Sequence, residues 1–195
     1  EKERGMGEFV SCSVTGHRPA KLPYSYNESH PDCATLKLAI ARQLERLRRR
    51  GVTDYYTGCA EGVDTWAGEC VLEMMKLDPN IRLHCVVPFR GQENRWSRAR
   101  QERYRKLLTM ASDIELVSGR YTDDSYHARN RTLVDRADVI VAVLDKKKKA
   151  HSGTGYTVAY AQKKKTPIIM IDPCTFEVSR LNFYEQMTLD NMQSL

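Results

Sequence analysis

The chain has 195 residues, 41% of them hydrophobic and 29% charged, the makeup of one ordinary soluble domain with a core of its own. No apolar run approaches bilayer length and the opening Glu-Lys-Glu-Arg-Gly-Met is no secretory signal, which argues against a membrane partner and for a cytoplasmic protein. A net charge of +6 with a pI near 9.0 points to anionic partners, without choosing among nucleotide, nucleic acid and mere solubility.

Residues 1–8 are set aside as a lead-in. Phe9 to Val14 is a short β-prone run ending at Thr15-Gly16. Ala34 to Arg50 reads as a helix, with Leu36, Ile40, Leu44 and Leu47 at helical spacing and Gly51 as its stop. Val52 to Tyr56 is a second strand, followed by "TGCAEGVDTWAGE" and a helix to about Lys76. Arg82 to Val87 is a third strand, which Pro88 is expected to halt. Asn94 to Ala111 reads as a very basic amphipathic helix, with Trp96, Tyr104, Leu107, Leu108 and Ala111 on one side.

Asp113 to Val117 is a short strand, Asp124 to Arg136 a helix, and Val139 to Leu144 an apolar run suited to a central parallel strand. Gly155 to Lys164 is a further helix and Pro167 to Ile171 the last clear strand. The region 9–172 thus reads as one domain. Residues 173–195 read as a C-terminal extension with a weak helical pattern over Phe183 to Met192. The clusters of Lys and Arg, such as Lys146 to Lys149, read singly as solvated helix faces or ends.

Strands alternating with helices of this length give an α/β class with a parallel sheet covered on both faces. Such sheets bind ligands beyond the carboxyl ends of their strands, near the point where strand order reverses. The chemically unusual residues fall there. Thr15 to Pro19 follows the first strand, Gly58 to Asp64 the second, Pro88 to Gly91 the third, and His151 to Gly155 the apolar fifth.

In these loops Gly16 permits close approach of backbone to a ligand, and His17 and Arg18 offer donors to phosphate or carboxylate. Gly58 and Gly62 precede a helix start whose amides can hold an anion. Asp64 can cap that turn or accept hydrogen bonds from a ribose. Trp66 reads as core. Gly153 and Thr154 open another helix with small residues that leave amides free for a phosphate. Arg129 can clamp an anion and Asn130 can read a base or ribose edge. The bland alternative for this pair is an exposed surface position.

Neither a Walker motif nor G-x-G-x-x-G is present, and no G-x-S-x-G elbow appears. The five histidines lack metal-ligand spacing, so no metal site is expected, and no resident cofactor is assigned. The six cysteines form no C-x-x-C pair and fit reduced, mostly buried thiols.

Taken together, "VTGHRP", "TGCAEGVDTWAGE", "YHARNRTLVDRADVIVAV" and "GTGYTVAYAQKKKTPIIMI" resemble the YpsA branch of the SLOG superfamily, which includes the DprA and LOG families. The likeness runs from about Val14 to Ile171. It implies a Rossmann-like three-layer sandwich with a mostly parallel central sheet, whose glycine-rich loops bind a nucleotide or nucleotide-derived ligand. It also implies a homodimer. Thr57-Gly58, Ala60 and Gly62-Val63-Asp64 are similar to the DprA signature, and Arg129 sits where LOG proteins carry an arginine.

The LOG motif ends in a glutamate that helps cleave an N-glycosidic bond. Thr157 stands at that position here, and a threonine supplies no carboxylate. The expectation is therefore binding or sensing of a phosphoribosyl or ADP-ribose-like ligand. The residues expected to form the site are Gly16, His17, Arg18, Gly58, Gly62, Asp64, Arg129, Asn130, Gly153, Thr154 and Thr157. No catalytic residue is assigned. Two alternatives stand beside it: an N-glycosidic or phosphoribosyl hydrolase using Glu61, Asp64 or Glu69, and a DprA-type single-stranded DNA-binding protein using the basic Arg90 to Lys106 segment.

Overall fold

The computed structural model describes residues 9–145, 147 and 152–183. The lead-in, most of the Lys146 to Lys149 cluster, His151 and all but the first residue of the Phe183 to Met192 pattern lie outside the described residues.

Among the described residues seven strands form one sheet: β1 (Ser11–Gly16), β2 (Asp54–Thr57), β3 (Arg82–Phe89), β4 (Asp113–Ser118), β5 (Val139–Val143), β6 (Ile168–Ile171) and β7 (Val178–Leu181). Their order across the sheet is β4-β3-β2-β1-β5-β6-β7. All neighbours are parallel except β6 and β7. Among the described residues the α-helices are α1 (Pro31–Arg48), α2 (Val63–Leu77), α3 (Arg98–Met110), α4 (Ser125–Arg136) and α5 (Gly153–Lys163), with a short 3-10 turn at Pro19–Lys21.

β5 shows why two helical layers are needed. Successive side chains of a strand point to opposite faces. Val139, Val141 and Val143 enter the core built by α1, α2 and α3. Ile140, Ala142 and Leu144 enter a second core with Val134 of α4 and Val158 and Ala161 of α5. All five residues of the strand are fully buried, which accounts for its unbroken apolar sequence.

The chain builds outward from β1 to β4 on one side, then returns so that β5 lies against the other side of β1. Gly16 at the end of β1 is in register with Val143 at the end of β5. The strand order reverses between them, the place at which sheets of this type ordinarily form a ligand-binding crevice.

Several element bounds depart from the expectation; α3, for instance, begins at Arg98 rather than Asn94. Pro88 does not halt β3, which runs to Phe89. β2 pairs with β3 only as far as Cys85, and in the β4 ladder Pro88 is skipped between Val87 and Phe89, so its missing N–H costs little there. α1 starts earlier, at Pro31, because His30 caps it through Nδ1, which accepts from the Asp32 N–H at 3.2 Å, and Pro31 is pre-set for a first helical position. The antiparallel strand β7 carries alternating exposed and half-buried residues, too short and polar a run to read as a strand.

Candidate functional site

Four segments meet at the carboxyl rim of the sheet. They are the loop after β1, the Gly58 to Gly62 loop before α2, the first turns of α4, and the start of α5. Two lines of hydrogen bonds tie them together.

The first line is carried by α4. Arg129 is buried, at 6% exposure. Its Nη1 donates to the Gly58 carbonyl at 2.7 Å and lies 3.5 Å from Asp64 Oδ2, while Nε donates to Asn130 Oδ1 at 2.8 Å. Asn130 Nδ2 in turn donates to the Gly153 carbonyl at 3.3 Å. One helix thus braces the loop after β2 and the start of α5 together. The second line crosses the crevice itself, where His17 Nε2 accepts from the Asp145 N–H at 3.1 Å. His17 is 1% exposed, so it acts as a tie between the loops after β1 and β5.

The sequence of the second loop follows from this bracing. A Cβ on Gly58 would overlap the Arg129 guanidinium and come within 2.7 Å of Asp64 Oδ2. Gly62 holds φ 86° and rests on the His17 carbonyl and Pro19. Between them Cys59 takes φ 54°, a left-handed conformation that costs about 1 kcal/mol or more for a residue with a side chain. Thr57 Oγ1 donates to the Asp64 carbonyl, and Thr65 Oγ1 to the Ala60 carbonyl, which fixes the turn into α2.

The electrostatics are those of a buried pair. Burial pushes the Asp64 carboxyl up, against the pull of Arg129 and a hydrogen bond from the Ala60 N–H. Burial also pulls the Arg129 guanidinium down, opposed by Asp64. The exposed Arg18 acts on both. Its guanidinium carbon sits 4.9 Å from the centroid of the Tyr126 ring.

The rim therefore divides into buried bracing and open surface. Asp64, Arg129, Asn130, His17 and Thr157 are buried, and each has at least one side-chain atom hydrogen-bonded within the protein. Thr157 lies one turn into α5, fully buried, with Oγ1 donating to the Gly153 carbonyl. The loop from Gly58 to Gly62 is buried as well, and Gly16 ends β1 against Val63. Arg18 and Gly153 are exposed, and Thr154 follows Gly153 in the first turn of α5. Ser152 caps that helix by accepting from the Gly155 N–H at 2.9 Å.

The carboxylates considered for a hydrolase are all ion-paired. Glu61 meets Arg100 at 3.0 Å, Glu69 meets Arg103 at 2.6 Å, and Asp64 meets Arg129. The basic α3 is similarly occupied, since Arg98 pairs with Glu102 and Arg103 also meets Glu28. Tyr104 is buried and Trp96 packs edge-to-face on it at 5.5 Å, so both belong to the core, as does Trp66.

The rim also carries an aromatic cluster that the sequence pattern does not mark. Phe89, at the end of β3, is packed edge-to-face by Tyr121 at 5.2 Å and Tyr126 at 5.4 Å. The available signal was that Phe89 and Tyr121 each stand just after or at the carboxyl end of a strand. Their separation in sequence hides that β3 and β4 are neighbours.

A doubly wound parallel sheet with its polar loops gathered at the strand-order reversal defines a Rossmann-like α/β protein. The YspA SLOG family model matches residues 12–176, and the chain belongs to that family. It is 29% identical over 154 residues to a UPF0398 protein of Bacillus cereus strain B4264, covering 78% of this chain and 82% of the relative. A UPF0398 protein of Bacillus thuringiensis strain Al Hakam is 28% identical over 158 residues, covering 80% and 84%. Among solved structures, DNA processing protein A from Helicobacter pylori, described for its single-stranded DNA binding mode, superposes with a TM-score of 0.55. That match has 20% identity and covers 87% of this chain and 68% of the other. No helix among the described residues is long and apolar enough to cross a membrane.

Proposed function

We propose that the protein binds a nucleotide or nucleotide-derived ligand, of phosphoribosyl or ADP-ribose type, in the crevice between the ends of β1 and β5. The observation that carries this reading is that the loop after β1, with its exposed Arg18, and the start of α5, with its exposed Gly153 and the buried Thr154 behind it, both lie on the rim where the strand order reverses. A helix start presents free amides and the positive end of its dipole, and an arginine adds a fork of donors for phosphate. In this reading Arg129, Asp64, Asn130 and His17 act by holding the loops in place, and Gly16, Gly58 and Gly62 by letting them approach. Ligand binding proceeds without the hydrolysis that a LOG-type glutamate supports, since Thr157 stands in its place.

Calorimetric titration with adenosine monophosphate and ADP-ribose tests it. Saturable binding that weakens about tenfold in Arg18→Ala, a loss of ~1.4 kcal/mol, supports the reading. Absence of heat and of thermal stabilisation across both compounds would refute it.

A second reading, single-stranded DNA binding, draws on the fold shared with DNA processing protein A and on exposed arginines at the rim, Arg18, Arg90 and Arg120. Its mark is affinity for an unstructured oligonucleotide that falls steeply with salt, because each phosphate contact releases counterions.

A further inference from the structure

Phe89, Tyr121 and Tyr126 come from three separate segments and meet at one corner of the rim. Tyr121 and Tyr126 lie 6.4 Å apart, each edge-on to Phe89. Phe89 is 9% exposed and forms the floor, whereas Tyr121 is 57% exposed. Single exposed aromatics are ordinary on protein surfaces. A cluster of three with one ring left open is not needed to close a core, and its members belong to neither of the two cores that α1 to α5 build.

Cations surround the cluster. Arg18 lies over the Tyr126 ring, Arg90 follows Phe89, and Arg120 precedes Tyr121. All three arginines are exposed, and among the described residues none is ion-paired with a carboxylate. That sets them apart from the arginines of α3, whose Arg98, Arg100 and Arg103 have carboxylate partners. The register of Phe89 with Ser118 puts the residues after both strands side by side. An exposed ring at Tyr121, flanked by guanidinium groups with no carboxylate partner, matches what a nucleobase attached to a phosphorylated ribose requires.

We propose that Phe89, Tyr121 and Tyr126 form a stacking subsite for a nucleobase, with Tyr121 as its exposed ring and Arg18 as the link to the phosphate-binding crevice. The proposal rests on the nucleotide-binding reading above and adds the place of the base. Arg18 is the geometric bridge, since it touches Tyr126 and acts on the buried Asp64–Arg129 pair. Stacking is tolerant of base identity, so the subsite accepts a base from a mononucleotide or from a single strand.

The test compares adenosine monophosphate, ribose 5-phosphate and an oligothymidylate on the full chain and on Tyr121→Ala and Tyr121→Phe. Thermal unfolding of both variants is followed alongside, and the exposure of Tyr121 predicts little change in it. The expected result is that wild type prefers adenosine monophosphate to ribose 5-phosphate, and that Tyr121→Ala weakens the former roughly tenfold and leaves the latter unchanged. Tyr121→Phe should keep the wild-type affinity, because it keeps the ring. If only the oligothymidylate binds and Tyr121→Ala weakens it, the base comes from a strand, and the subsite stands while the small-nucleotide reading falls. Equal binding of every probe by wild type and Tyr121→Ala overturns the subsite and leaves the nucleotide reading intact. Failure of wild type to bind any base-bearing probe overturns both.

Discussion

Arg129 fills the space that a side chain at position 58 would occupy. The two residues are 71 apart in the chain, yet Nη1 donates to the Gly58 carbonyl at 2.7 Å and an added Cβ would overlap the guanidinium. Gly58→Ala therefore forces the arginine from its place. The expected cost is about 1–3 kcal/mol, measured by urea unfolding. Because the penalty arises from the arginine, the double variant Gly58→Ala with Arg129→Ala should cost clearly less than the sum of the two single changes. Additive costs would contradict the contact.

Asp64→Asn probes the same junction from the charge side. It replaces the carboxylate by a neutral side chain of the same shape, and because burial already disfavours the charged form more than Arg129 favours it, the cost near neutral pH is expected to be small, below about 1 kcal/mol. The pH dependence has a definite sign. Burial holds the Asp64 carboxyl above its ordinary 3.8, so the folded chain keeps that proton to higher pH than the unfolded chain does. The stability it contributes is present in acid and lost as pH rises from 3.8 through the raised folded value. Asp64→Asn should remove that falling limb from a plot of unfolding free energy against pH.

Asp54 has the opposite sign. Burial alone would raise its carboxyl, but hydrogen bonds from Arg82, His84 and Thr53 bring it down from 3.8 to about 2. Arg82 grips both oxygens, at 2.8 and 2.7 Å, and His84 Nε2 lies 2.7 Å from Oδ1. The stabilisation is complete above 3.8 and disappears as pH falls toward about 2. Arg82→Ala should shallow the acid limb and Asp54→Asn should abolish its contribution, read by unfolding at a series of acid pH values.

Thiol reactivity follows burial. Cys174 is exposed, Cys70 is half-buried, and Cys12, Cys33, Cys59 and Cys85 are buried. Burial pushes the thiols of Cys12 and Cys59 up, away from the reactive thiolate. An aromatic disulfide reagent should therefore modify Cys174 first in the native protein, and the buried four only on unfolding. Rapid native modification of Cys59 would mean that the Gly58 to Gly62 loop opens in solution.

The alternation of apolar runs with helical periods was enough to read the parallel sheet, and the position of loop chemistry after strands was enough to find the rim. β5 was legible because both of its faces are buried, while β7 was not, because a four-residue edge strand needs little apolar sequence. At the site, the residue types at Arg129, Asp64 and Asn130 stood out, but pattern alone left Arg129 and Asn130 equally open to an exposed role. Their burial is set by contacts 71 and 65 residues away for Arg129 and 23 for Asn130, distances over which local sequence carries no record. The aromatic corner was hidden for the same reason, since Phe89 and Tyr121 meet only because β3 pairs with β4.

The pairing of β1 with β5 joins Cys12 to Val139 and Gly16 to Val143, a closure across most of the chain. Contacts so distant in sequence are entropically late to form, and they slow a domain's folding relative to one built from local pairs. β1 to β4 and the helices between them can assemble progressively as the chain lengthens, but the crevice has no second wall until β5 arrives. The rim is therefore among the last features to exist, and any ligand that holds both walls would act as a sensor of completed folding, resisting the first step by which the domain comes apart.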